Sequence, residues 1–141
     1  MVREALRLRP VVPMVGRVIQ APMSALGYDF PAGALLACSI YLVHRSPALY
    51  PDPGRFDPDR FIAWKPAPHE YFPFGGGIRR CIGAAFALYE MKMVLAGVLP
   101  RLRLDVTDPR VKVVRRAVTF SPDTGVVVRA SPRVAATRVA A

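Results

Sequence analysis

Proline and glycine decide where this chain can form regular structure. Its 15 prolines and 10 glycines gather mainly in residues 10–33, 47–58 and 66–77 of 141. Proline fixes φ and removes an N–H, and glycine frees the backbone, so these stretches are expected to be loops and short hairpins. Two helical windows survive. Residues 2–8 hold good helix formers and stop at Pro10, like the last turns of a helix whose beginning is absent. Residues 84–99 (AAFALYEMKMVLAGVL) form the one clear helix, ended by Pro100, with Phe86, Leu88, Tyr89, Met93, Leu95 and Val98 giving wide apolar coverage. Short β-type runs are expected at 14–20 and 34–38, with hairpin turns at Gly27 and Pro31–Gly33, and an ordered meander at 47–61. Further strand-like pieces lie at 101–106, 111–120 and 126–130, the last two parted by a turn at Pro122–Gly125. This is an α+β order that reads as half of something larger. Residues 1–130 are taken as one domain, and the Ala-, Val- and Arg-rich tail 131–141 is expected to be frayed.

Apolar residues make up 52% of the chain, enough for a core, and the net charge is +10. The basic residues are dispersed, which suits a solvated surface and permits an acidic partner. A small basic nucleic-acid-binding domain is an alternative carried by charge alone. It lacks aromatic–basic interleaving and a recognition helix, so no nucleic-acid partner is expected. Cys38, inside AGALLACSIYLV, reads as a buried small hydrophobe, and two cysteines do not make a disulfide framework. A reduced, cytoplasmic setting is expected. The opening VREALRLR is not a signal peptide, and no apolar run reaches the ~20 residues of a bilayer span, so no membrane segment is expected.

The segment that carries chemistry is Phe74–Gly83, FGGGIRRCIG. It sets a cysteine after a glycine-rich turn and before a helix. A helix N-terminus offers unpaired N–H groups and a positive dipole end, which favour thiolate over thiol. Gly75, Gly76 and Gly77 let the backbone turn so that amides can point at the sulfur and tune a metal-bound thiolate. Phe74 can shield the sulfur from water, and Gly83 leaves room for a flat ligand. A lone buried cysteine at a loop–helix junction would be the plainer account. Here, however, Phe74, Gly77, Arg79, Cys81 and Gly83 together match the F-x-x-G-x-R-x-C-x-G signature, and the chain resembles the cytochrome P-450 family. Glu4-Ala5-Leu6-Arg7 is similar to that family's E-x-x-R helix motif, and Pro58-Asp59-Arg60-Phe61 to its P-x-R-F meander motif.

The resemblance implies the C-terminal haem-binding part of the cytochrome P-450 fold: the end of the E-x-x-R helix, small β elements, meander, cysteine loop, long proximal helix and terminal β hairpins. It implies haem b (iron protoporphyrin IX) with Cys81 as axial ligand of the iron, Arg79 and Arg17 on its propionates, and a buried triad of Glu4, Arg7 and Arg60. Val12 and Met14, with Val118 and Thr119, become candidate pocket residues; residues of those types serve equally well as plain core. His44 and His69 have no partner at ligand spacing and are expected in meander segments, structural or exposed. The implied reaction is monooxygenation of a small apolar substrate, with electrons from a ferredoxin, flavodoxin or flavoprotein reductase. The distal helix with its acid–alcohol pair has no counterpart in these residues, so no catalytic residue is assigned. The chain is expected to be truncated and inactive alone, and a non-catalytic remnant without haem is the alternative.

Overall fold

The computed structural model describes residues 1–133 and is α+β. The described residues fall into two compact units: Met1–Cys81 with Arg115–Phe120, and Ile82–Val114 with the residues from Ser121.

In the first unit, α1 (Val2–Leu8) runs until Pro10 forbids another turn. Strand β1 (Met14–Val18) pairs antiparallel with β4 (Leu35–Ser39), Gly16 opposite Ala37 and Arg17 opposite Leu36. Between them a small hairpin, β2 (Met23–Ala25) and β3 (Tyr28–Phe30), turns through Leu26 and Gly27, both at positive φ. The hairpin's base is closed by Ile19 and Gly33: Ile19 N–H donates to Ala34 O and Gly33 N–H to Ile19 O. A short helix, α2 (Ile40–Val43), follows β4 directly, capped by the Ser39 hydroxyl, which accepts from Leu42 N–H at 3.2 Å. The stretch that follows is irregular, as the sequence indicates, and crosses 47–61 in successive turns. The core gathers Leu6, Ile19, Ile40 and Tyr50 beside three buried polar residues, Glu4, Arg7 and His44.

Cys38 departs from expectation: it is exposed on β4. Among the described residues β4 has only β1 as a strand neighbour, and a two-stranded ladder does not bury both of its faces. Both cysteines are free.

In the second unit, α3 (Ala84–Val98) is followed by β5 (Leu102–Val106), which pairs with β8 (Val128–Pro132), Leu104 opposite Ala130. Arg101 donates to Gly97 O at 2.7 Å and satisfies a carbonyl in the last turn of α3. The helix buries Ala84 and leaves Phe86, Tyr89, Met93 and Val94 exposed. β8 carries ordered pairing through Ser131 and Pro132, two residues into the expected tail; the rest of that tail, from residue 134, lies outside the described residues. The run 111–120, expected as one strand, is a hairpin of β6 (Val113–Arg116) and β7 (Thr119–Pro122), most of which, Arg115–Phe120, belongs to the first unit. Its turn passes through Ala117 at φ 53°.

Candidate functional site

A helix of 7 residues is not stable alone, and α1 is held by its charged face. Glu4 and Arg7 are fully buried, and Arg7 Nε and Nη2 fork onto the two Glu4 oxygens, each at 2.8 Å. Arg60 Nε reaches Glu4 Oε1 at 3.3 Å, and Asp57 N–H donates to the same oxygen at 3.0 Å. Arg7 spends its other donors on the carbonyls of His44 (2.7 Å), Pro53 (2.8 Å) and Arg55 (3.1 Å). Arg60 adds Pro51 O at 2.8 Å. The three side chains named by the two shorter motifs thus share one network, which clamps the meander to α1. Burial pushes the Glu4 carboxyl up; the bonds from Arg7, Asp57 and Arg60 more than offset this and hold it below the usual carboxylate range.

Around this network lies a shell of rings. His44 stacks on Tyr71 at 5.2 Å and meets Tyr50 and Phe72 edge-on; Trp64 and Phe61 continue the cluster. Arg3 lies over Phe61 at 4.6 Å, and Arg7 over Tyr50 at 5.1 Å. Tyr50 donates to Glu70 O at 2.6 Å, and burial pushes its hydroxyl up to about 12. His44 is the residue that sequence reasoning underrated. It does not sit in the meander but ends α2, fully buried, and its Nε2 accepts from Phe72 N–H at 3.0 Å. Burial, with Arg7 nearby, lowers its pKa to about 4, so the ring is neutral at pH 7. The one signal available was its place four residues after Ile40, on the buried side of an apolar run. His69 is exposed.

The cysteine loop follows from Phe72. Gly75 N–H donates to Phe72 O at 2.9 Å, and Cys81 N–H closes the loop onto Phe74 O at 3.0 Å. A single 3-10 turn, Gly77–Arg79, lies between. Gly75 and Gly77 sit at φ 71° and 67°, the left-handed region where a side chain is strained. Strand β1 braces this loop. Arg17 donates to Gly76 O at 3.0 Å as well as to Gly16 O, and a side chain on Gly75 would touch Val15 at 3.6 Å. Phe74 is half-buried; Arg79 and Cys81 are exposed, as are Ile78 and Ile82 beside them. Gly83, in the second unit, is the N-cap residue of α3. Of the pocket candidates, Met14 and Val118 are exposed, Val12 and Thr119 half-buried. A backbone bond from Phe120 N–H to Val11 O at 2.6 Å sets their two segments side by side.

Chemically, the loop offers one accessible thiol among apolar and cationic neighbours. Among the described residues no group of three or more His, Cys, Asp or Glu could cage a bare ion. A single thiolate suits a metal that arrives with the rest of its ligands, and arginines suit a ligand bearing carboxylates.

Known proteins resemble this chain over most of its length. The family model described as Cytochrome P450 matches residues 1–128. A Mycobacterium tuberculosis sequence provisionally named cytochrome P450 135B1 is 50% identical over 105 residues, covering 74% of this chain and 22% of its own length. The taurochenodeoxycholic 6 alpha-hydroxylase of Sus scrofa is 40% identical over 127 residues, covering 89% of this chain and 25% of its own. Among solved structures, a cyanobacterial CYP120A1 with bound retinoic acid matches 93% of this chain and 31% of its own at 31% identity, with a TM-score of 0.83. The haem domain of a cytochrome P450DA mutant gives the same TM-score of 0.83 at 32% identity over 94% of this chain and 29% of its own. The chain therefore spans between about a fifth and a third of the length of these relatives. Its α+β arrangement is that of the C-terminal, haem-binding part of their fold, and the chain belongs to the cytochrome P450 family.

Proposed function

We propose that Cys81 is the axial thiolate of a haem b. In this reading the chain supplies the proximal part of a monooxygenase that places one oxygen atom of O2 into a small apolar substrate. The observation that carries this reading is the exposed Cys81 closing the FGGGIRRCIG loop. Bound haem would supply the oxygen chemistry, with thiolate electron donation favouring O–O cleavage. The chain's own residues hold and shape its surroundings. Arg79, exposed and without a bonded partner among the described residues, would fork onto one propionate; Arg17 would keep its loop bonds and offer its remaining donors to another. Phe74 would cover the sulfur, and Gly77 and Gly83 would keep side chains away from the ring. Val12, Met14, Val118 and Thr119 would face the substrate. Glu4, Arg7 and Arg60 touch none of the reacting atoms; they fix the meander.

Electrons would come from a ferredoxin, flavodoxin or flavoprotein reductase, with exposed Arg80 available to an acidic donor. Among the described residues no helix is long and apolar enough to cross a membrane, and both cysteines are free thiols, which fits a cytoplasmic setting. The chain spans only part of its relatives, and no oxygen-activating acid–alcohol pair is assigned among its residues. The test is to purify residues 1–141, add haem, a redox chain and a panel of apolar substrates, and measure product against electrons consumed. Weak haem retention and no coupled product are expected. Stoichiometric haem with product formed in step with electron consumption would show that the proximal part suffices.

A further inference from the structure

The segment entering the cysteine loop, residues 70–72, belongs to no helix or sheet. Its backbone groups must find partners elsewhere. Glu70 and Tyr71 N–H turn back onto Ala67 O, and three longer-range contacts fix the segment: Tyr50 donates to Glu70 O at 2.6 Å, Tyr71 donates to Arg3 O at 2.9 Å, and Phe72 N–H donates to His44 Nε2 at 3.0 Å. Pro73 has no N–H, so the Phe72 donor is the last before Phe74. Phe72 O in turn accepts from Gly75 N–H, and Phe74 O from Cys81 N–H. On the other side, the His44 carbonyl takes an Arg7 donor at 2.7 Å. His44 thus joins the Glu4–Arg7 network, through its carbonyl, to the last backbone donor before Phe74, through its ring; Tyr50, beneath Arg7, holds the same segment two residues earlier.

We infer that His44 is a positioning residue for the Cys81 loop, a latch whose unprotonated Nε2 holds Phe72 and through it the glycine turn. The inference rests on the haem-thiolate reading of that loop only for its consequence, because the latch itself is a property of the apoprotein chain. The chemistry is selective. Nε2 accepts while the proton stays on Nδ1. Lysine or arginine has no acceptor to offer, and a carboxylate would add a second buried anion beside Glu4. A protonated imidazole would aim a donor at the Phe72 N–H, so acid opens the latch. The groups facing the ring all bear on this: Arg7 and its partner Glu4 from α1, Arg3 over Tyr71, the rings of Tyr50 and Tyr71, and Arg45 next in the chain. The cationic members disfavour a further positive charge, and the ring holds the neutral form down to about pH 4.

The test compares wild type with His44→Gln, whose amide oxygen can accept without titrating, and His44→Phe, which stacks but cannot accept. All are prepared as the full-length protein carrying this segment. The first readout is hydrogen exchange at the amides of Phe72, Gly75 and Cys81, with amides of the β5–β8 ladder as internal control. His44→Phe should exchange roughly 10- to 100-fold faster at these amides, and His44→Gln should restore protection. Wild type should lose that protection as pH falls through about 4, and His44→Gln should not. Should His44→Phe fail to fold, the acid profiles of wild type and His44→Gln still decide. Protection indifferent to the residue at 44, or acid profiles that coincide, would overturn the latch even with a normal thiolate spectrum. If the profiles diverge as expected but no haem binds through Cys81, the latch stands and the haem reading falls.

Discussion

Arg7 shows how far a single residue can hold this chain together. Every one of its donors is spent, on the Glu4 carboxylate, on the carbonyl of His44 at the end of α2, and on two meander carbonyls, those of Pro53 and Arg55. Arg7→Ala would leave Glu4 buried with Arg60 as its only side-chain partner. The expected loss is about 3–5 kcal/mol, with haem content falling alongside; a denaturant midpoint and a haem assay check both. Unchanged melting with normal haem would contradict the network's role. Two buried groups also make the fold acid-sensitive with the same sign. His44 has a folded pKa of about 4 against an ordinary 6.5, so the unfolded chain binds the proton first. Its contribution is complete above pH 6.5 and is lost as pH falls to about 4, roughly 3 kcal/mol in all. Glu4, also depressed, stabilises above its unfolded value and loses that contribution as pH falls through its folded one. Urea midpoints at pH 7 and near pH 4.5 should differ for wild type, and His44→Gln should flatten that difference.

At the scale of elements, positive-φ residues mark where turns are under strain. Leu26 occupies the first position of a tight hairpin turn at φ 56° and is 95% exposed, so it loses nothing by replacement. Leu26→Asn should stabilise by about 1 kcal/mol, read as a raised Tm, because asparagine tolerates that conformation. Gly77→Ala should cost about 1–2 kcal/mol through backbone strain alone, since nothing lies within 4 Å of the added methyl. The same elements show what the sequence could reveal. Helices α1 and α3, the β1–β4 and β2–β3 turns and the meander were legible because proline and glycine punctuate them. The β6–β7 turn was not, because Ala117 takes positive φ with no glycine to announce it. Helix α2 was hidden by its shortness and its apolar IYLV sequence, which fits a strand continuing from β4 equally well. Cys38 was misplaced because an apolar run reveals nothing of how many neighbours its strand will have. In the site, the spacing of Glu4, Arg7, Arg60 and Cys81 was readable. The bond from Phe72 to His44 joins residues far apart in sequence, and no local pattern reports it.

At the scale of the whole molecule, the second unit leaves Phe86, Tyr89, Met93 and Val94 of α3 in solvent, and the first leaves Met14, Ile78 and Val118. Apolar surface of this extent invites association. The 141-residue chain should sediment with concentration-dependent mass, despite its charge of +10. Reduction by an acidic electron donor should slow in Arg80→Glu and with added salt, with the haem spectrum unchanged. Every proposed role in the loop depends on Cys81 being the ligand of haem iron. The most direct measurement is the absorption of the ferrous–CO complex of a full-length protein carrying this segment. Wild type and Cys38→Ser should both show the red-shifted band of thiolate ligation, and Cys81→Ser should not. A thiolate band that survives Cys81→Ser and disappears with Cys38→Ser would contradict the assignment.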